Sequence, residues 1–447
     1  MLPLSSSKLA TRASRSLFSK ATAMPSVALS EHFPSVPQTQ PQTAAAAKLT
    51  TSTAVLGLKL GSDDRAASVA TIGFQLNTGA RDENDDTAGL SQLFAKMAFR
   101  ATQSRSDLRL YRDIEAIGGV VSTQAGRDFV RYSVSVLPDQ LESAAGILAE
   151  TTLSPRFALY DVDEQKKVVQ AEFDRISADA SASLVEGVHA AAFYDDMTLG
   201  RPLVSTENID ALSCEALLAY HNTYVNTSNA ALISVGVSHN TLTDLANSYF
   251  SSLTKGDQAA SVTAKYVGGE TRVKKARNYT HVALGLPTVG RDSADFGASQ
   301  VLHALLRLRL KNKKASAFLS SYSDIALIGL SGHATPPEAG ALIDSFVFEL
   351  KKAALSPATQ DELTAAKTAA ALESVELYNT QAGALSRVGI FVSSSTVPAS
   401  PLQLVETVTA AKLQELAHKA MKAVPSVSAI GMLSTVPHVD VIARKLL

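Results

Sequence analysis

The sequence predicts an α+β protein of two homologous halves, each an antiparallel-rich sheet with helices packed on one face, the two enclosing a cleft. Three observations lead there. Short alternating or apolar runs bounded by Gly, Pro and Asp read as strands, and segments with apolar residues every three or four positions read as helices. The third is an internal repeat of very long period. "IGFQLNTGARD" (72–82) returns as "VALGLPTVGRD" (282–292), 210 positions later, matching Leu76, Thr78, Arg81 and Asp82.

The elements follow in the same order in each half. After the first strand and its turn, "GLSQLFAKMAFRAT" (89–102) places Leu90, Leu93, Phe94, Met97 and Ala98 on one helical face and Gln92, Ala95 and Lys96 on the other. A strand–Pro–helix unit, "VSVLPDQLESAAGIL" (134–148), recurs as "SGHATPPEAGALID" (331–344), with Pro138 and Pro337 199 positions apart. "LSP" at 153–155 and again at 355–357 leads each time into a long helix. "AALISVGVSH" (230–239) and "VSAIGMLSTVPH" (427–438) each read as a last strand, a His and a short amphipathic helix. The polar, Gly-containing stretch 253–278 is the junction. The expected organisation is a mitochondrial transit peptide over 1–30, a flexible lead-in over 31–47 and an N-terminal domain over 48–255. A linker over 256–278 and a C-terminal domain over 279–447 complete it.

Composition narrows the function. The 447 residues exceed one ordinary core, 46% are apolar, and the formal net charge is −1. Apolar runs such as the one in "AALISVGV" fall far short of a bilayer span. A single cysteine, Cys214, excludes an intramolecular disulfide and suits a reducing compartment. The first 30 residues carry Lys8, Arg12, Arg15 and Lys20, many Ser and Ala, and no acid before Glu31, the profile of a transit peptide; a disordered basic tail is the alternative. "RSLFS" (15–19) is a plausible cleavage region. Without that leader the formal charge is −1 − 4 = −5, with no basic stripe for nucleic acid.

The frame of residues 89–102, the repeat and the order of elements resemble the pitrilysin/insulinase-type metallopeptidases, a family that includes the mitochondrial processing peptidase. In active members the first helix carries HxxEH, and a further Glu lies on the long helix about 76 residues beyond. Here Gln92 and Lys96 stand at the ligand positions and Ala95 at the position of the base, while Glu172 keeps the distal place, 172 − 96 = 76 residues on. Hydrolytic zinc needs three protein ligands and an open water position. Gln is a poor neutral ligand, Lys96 puts a cation where a cation should bind, and Ala95 cannot accept a proton. The two closest of the nine histidines, His221 and His239, are 18 positions apart. The expectation is therefore no catalytic residue, no metal site and no cofactor.

Within the family, "ALISVGVSH" (231–239), "AKYVGGE" (264–270) with "HVAL" (281–284), and "SAFLSSYSDIALIGL" (316–330) resemble the non-catalytic core-subunit branch. "IEAIGGVVS" (114–122) and "EGVHAAAFYDDMTLGRPL" (186–203) agree in character. That branch belongs to mitochondrial ubiquinol–cytochrome c reductase, respiratory complex III. The resemblance implies a structural subunit on the matrix side of the inner membrane, without peptidase activity. Its partners would be core subunit 1, cytochrome b, the c-type cytochrome and the Rieske protein, and it would be held to the membrane by protein contacts. The alternative is a non-catalytic presequence-binding partner in a processing peptidase. Such partners typically have a glycine-rich loop early in the second half, and residues 298–328 here contain no Gly.

Other candidates read as structural. Arg307, Arg309, Lys311, Lys313 and Lys314 form a basic cluster, either a solvated helix end or a contact for an acidic subunit or lipid headgroup. Cys214 reads as a buried packing thiol. "YVGGE" reads as a turn, since no helix-opening GxGxxG follows a strand there. "RDENDD" (81–86) reads as a solvated turn, and His239 and His438 as equivalent turn residues after the last strands.

Overall fold

In the computed structural model the described residues are 49–54, 57–194, 198–257, 262–311, 314–394 and 401–446. The expected transit peptide and lead-in fall outside them, as does Lys313. The first half holds β1 (Leu49–Thr53), β2 (Lys59–Asp63), β3 (Ala70–Leu76), β4 (Val120–Ala125), β5 (Val130–Val136) and β6 (Ala230–Val235). Its helices are α1 (Leu90–Lys96), α2 (Asp107–Ala116), α3 (Leu141–Leu153), α4 (Leu159–Ala178), α5 (Ala180–Ala192), α6 (Cys214–Tyr224) and α7 (His239–Tyr249). The second half holds β7 (Gly269–Lys274), β8 (Thr280–Val289), β9 (Ala315–Ser321), β10 (Ile325–Ala334) and β11 (Ser426–Gly431). Its helices are α8 (Phe296–Leu310), α9 (Ala339–Leu355), α10 (Gln360–Asn379), α11 (Gln381–Ser393), α12 (Pro401–Glu406), α13 (Ala410–Met421) and α14 (Val439–Leu446).

The repeat read from the sequence is a repeat of topology. The first sheet runs β1-β2-β6-β3-β5-β4 and the second β7-β11-β8-β10-β9, so the second order matches the first with the edge strand β1 removed. In each sheet one pair is parallel, β2 with β6 and β7 with β11, and the remaining pairs are antiparallel. The matched segments 72–82 and 282–292 fall on β3 and β8, the central strands of the two sheets. The second sheet begins inside the segment expected to be a linker, because Gly269–Lys274 pairs along β11. That correction has a simple cause: "GETRVK" alternates too weakly to declare a strand until its partner is present.

Helices cover one face of each sheet, as expected, but the opposite faces are also covered. The 20-residue helices α4 and α10 each end at a cap that turns the chain into a 13-residue helix. Asp179 accepts from the Ser181 amide at 2.9 Å and Thr380 from the Gly383 amide at 3.0 Å. These 13-residue helices cross over. Leu184, Val188 and Ala192 of α5 bury against Ala283, Leu327 and Ile430 of the second sheet. Ala384, Leu385, Val388 and Val392 of α11 bury against Ala231, Ile233 and Val235 of the first. Ala230 and Leu232 of β6 face the other way, into the first half's own core, so β6 is apolar at nearly every position because both its faces are buried. The crossing is close: a Cβ at Gly61 would lie 2.3 Å from Val392 Cγ2, so only glycine lets α11 sit this near β2.

Candidate functional site

The degenerate motif lies on α1, a helix of two turns. Its N-cap is Gly89 at φ +88°, a conformation that favours glycine, and a Cβ there would meet the Ser205 carbonyl oxygen at 2.7 Å. The first-turn amides are held by Glu83, whose carboxylate accepts from Gly89 N at 2.8 Å and Ser91 N at 2.7 Å. Glu83 is buried, and burial pushes its pKa up against those hydrogen bonds. "RDENDD" is therefore not simply a solvated turn. Asp85 is exposed where it pairs with Arg201, but Arg81 and Glu83 are interior. Cys214, at the first position of α6, is half-buried against the first core rather than fully buried.

The apolar face of α1 packs as its periodicity predicts. Leu90, Leu93, Phe94 and Met97 are all buried in the first core. Phe94 meets the rings of Tyr132, Phe157 and Tyr220, and Phe99 closes over Tyr132 with its backbone at φ +57°. The other face points at α4, where Glu172 waits. Lys96 Nζ lies 2.8 Å from Glu172 Oε2, and Gln92 Nε2 donates to the same oxygen at 3.0 Å. Ala95 is buried, and so is Gln92, whose Oε1 has no partner among the described residues. The spacing of 76 residues read from the sequence thus becomes one contact.

This donor set does not fit a zinc ion. One carboxylate is present, and its accepting oxygen already faces an ammonium and an amide NH2. A metal there would have to displace Lys96 and would still lack nitrogen ligands. Among the described residues no three His, Cys, Asp or Glu side chains gather as a metal could require.

The remaining sequence candidates take structural places. His239 opens α7 and contacts Ser62 Oγ at 2.9 Å and Ser52 Oγ at 2.7 Å; His438 precedes α14 and contacts Glu270 Oε1 at 2.7 Å. Both thus tie the segment after the last strand to an equivalent strand, β2 or β7. The basic cluster is only partly solvated. Arg309 of α8 is nearly buried against α10, with Glu362 at 2.9 Å, Arg307 reaches Glu373 at 3.5 Å, and Lys311 and Lys314 are exposed. The "YVGGE" stretch passes directly into β7, with Tyr266 Oη donating to the Val424 carbonyl at 2.7 Å.

Sequence reasoning missed the seam between the halves. Arg81 reaches Asp128 and Asp324, both at 2.8 Å, and Arg291 approaches Asp128 at 4.0 Å. Arg81 and Arg291 are the repeat-matched arginines, and each faces an aspartate in the other half's strand-to-strand turn. The matched "RD" pairs were the available signal. Nearby, Arg127 pairs with Glu186 at 2.8 Å, and Tyr322 Oη contacts His189 Nε2 at 2.8 Å.

The family model described as Insulinase (Peptidase family M16) matches residues 60–207, and the one described as Peptidase M16 inactive domain matches 211–370. Curated relatives include mitochondrial-processing peptidase subunit alpha-2 of Dictyostelium discoideum, 26% identical over 84% of this chain and 89% of its own length. Cytochrome b-c1 complex subunit 2, mitochondrial, of Rattus norvegicus is 27% identical over 86% and 90%, and the human mitochondrial-processing peptidase subunit alpha is 24% identical over 94% and 89%. With two M16 models laid end to end on two halves of one topology, the chain belongs to the insulinase (M16) peptidase family.

Proposed function

We propose that this chain is a non-catalytic, structural M16 subunit of the mitochondrial cytochrome b-c1 complex, occupying the place of core subunit 2. The observation that carries the non-catalytic part is the Lys96–Glu172 contact, in which a protein cation takes the space and the carboxylate that a metal would need. A water molecule there would find neither a Lewis acid nor, at Ala95, a base. The distal Glu is then a structural anchor between α1 and α4.

For the structural role, the support is the early part of the second half. Helix α8 ends at Leu310 and β9 begins at Ala315, so four residues connect them, with no Gly from 298 to 328. A long substrate-holding loop has no place there. The chain would act in assembly and stability of the complex that transfers electrons from ubiquinol to cytochrome c. It would bind core subunit 1 and, through the assembly, cytochrome b, the c-type cytochrome and the Rieske protein. Among the described residues no helix is long and apolar enough to cross a membrane, so attachment to the matrix side of the inner membrane would run through protein partners. The transit peptide expected over residues 1–30 would be removed on import.

The second reading, a presequence-binding partner in a processing peptidase, is favoured by relatives named mitochondrial-processing peptidase alpha at the same level of identity. One experiment separates them. Mitochondria depleted of this chain are solubilised, run on a native gel probed for the cytochrome b-c1 complex, and assayed for presequence cleavage. The structural reading expects loss of the complex with cleavage intact. Intact complex with failed cleavage overturns it.

A further inference from the structure

The seam between the halves holds a partly open cavity of about 180 Å³ whose lining includes Lys59, Arg81, Arg131 and Arg291 against the carboxylates Asp82 and Asp128. Arg81 is answered by Asp128 and Asp324, and Asp128 is shared with the more distant Arg291. Arg131 is different. It is buried, its Nε and Nη2 both donate to the neutral Gln75 Oε1, at 3.0 and 2.6 Å, and its guanidinium lies 4.7 Å over the Phe129 ring. Burial and the nearby Arg291 charge lower its pKa to about 10. A buried guanidinium whose partners among the described residues are an amide oxygen and a ring is short of negative charge. Two more buried guanidinium nitrogens at the seam, Arg81 Nε and Arg291 Nε, have no hydrogen-bond partner among the described residues. Gln75 cannot relieve this by turning, because its Nε2 is held by the Gly389 carbonyl at 3.2 Å and Ser393 Oγ at 2.9 Å, both on the crossing helix α11.

We propose that this interdomain cavity is a binding site for a small, doubly charged oxyanion, held by Arg131 and Arg291 with Lys59 at its rim. The fork geometry of guanidinium groups suits paired oxygens, and the cavity is far larger than a single water needs. Because Arg131 belongs to β5, Arg291 to the second half and Gln75 is pinned to α11, a bound anion would link the two halves at a lining with more cations than carboxylates. Phosphate and short dicarboxylates share the required chemistry.

The test uses the purified full chain, with inorganic phosphate and succinate as probes, each against chloride at matched ionic strength. Titration calorimetry and thermal melts are read together. The expectation is saturable binding of at least one dianion with a rise in Tm that chloride does not give. Arg131→Gln is expected to weaken it by roughly tenfold or more, the loss of hydrogen bonds to a charged group. Without dianion this variant should melt close to the parent, since losing an uncompensated buried cation offsets losing the two hydrogen bonds to Gln75 Oε1. Should Arg131→Gln fail to fold, Lys59→Gln at the half-buried rim carries the same expectation of weakened binding. A response to phosphate alone assigns a tetrahedral oxyanion, and a response to succinate alone a dicarboxylate. Equal melts in chloride and both dianions, or parental affinity in the foldable variant, would overturn the proposal.

Discussion

Lys96 Nζ and Glu172 Oε2 stand 2.8 Å apart, joining α1 to α4 across the face where a catalytic site would lie. Each side chain is about a quarter exposed, 27% and 24%, so solvent screens the pair and its net worth is modest. Lys96→Ala should therefore cost about 1 kcal/mol or less. Glu172→Ala should cost more, about 1–3 kcal/mol, because it also strands Gln92 Nε2. Urea denaturation of both variants checks the order, and equal losses would mean that Gln92 draws nothing from Glu172.

Gln92 and Leu93 are neighbours with opposite expectations. Gln92 is buried, with Oε1 unpartnered among the described residues. Gln92→Leu removes that orphan together with the hydrogen bond to Glu172, and the two effects should offset to within about 1 kcal/mol. Leu93→Ala opens a cavity in the first core and should cost about 2–5 kcal/mol. Steady-state levels of the two variants in mitochondria should follow the same order, and a collapse of Gln92→Leu with Leu93→Ala tolerated would contradict α1 as packing.

His189 should make the seam sensitive to acid. It is buried, and burial, then the Arg127 charge, lowers its pKa to about 3. Its Nδ1 contacts the Val185 carbonyl at 2.7 Å and its Nε2 faces Tyr322 Oη, an arrangement that suits a neutral ring. With the folded pKa below the unfolded value near 6.5, the unfolded chain takes the proton first. The stabilisation is thus complete above about pH 6.5 and is lost as pH falls toward about 3, with a limiting slope of about 1.4 kcal/mol per pH unit for this one proton. His189→Gln should flatten that part of the stability profile. An unchanged slope between pH 6 and 4 would assign the acid sensitivity to other groups.

Gly61 is the point of closest approach between β2 and the crossing helix. Gly61→Ala should destabilise by about 1–3 kcal/mol, since the new methyl meets Val392 Cγ2 and Val388 Cγ1. The pair is coupled, so adding Val392→Ala should recover part of the loss. Melting curves of the single and double variants decide it: purely additive losses would place the strain elsewhere.

Much of this architecture is legible in the residues, and the limits are specific. The pairing of "IGFQLNTGARD" with "VALGLPTVGRD" finds β3 and β8, because a central strand buried on both faces must be apolar in each copy. β7 is not legible, since "GETRVK" becomes a strand only by hydrogen-bonding to β11, 426 − 269 = 157 residues later. Glu83 is misread for a related reason. A carboxylate in an acidic turn looks solvated until the two amides that it caps fold over it.

The sequence by itself determined that the chain is written twice, that α1 has an apolar face, and that the other face carries Gln92, Ala95 and Lys96. These are local properties, set by residue type and by the helical and strand periods. Only the tertiary structure decided that α5 covers the second sheet and α11 the first. An amphipathic pattern states that a face will be buried without naming the surface that buries it. The charges at the seam follow the same logic. Arg81 reads as part of a solvated turn, and it becomes buried, with its repeat-matched Arg291 half-buried, only when the two halves bring each arginine to the other's aspartate.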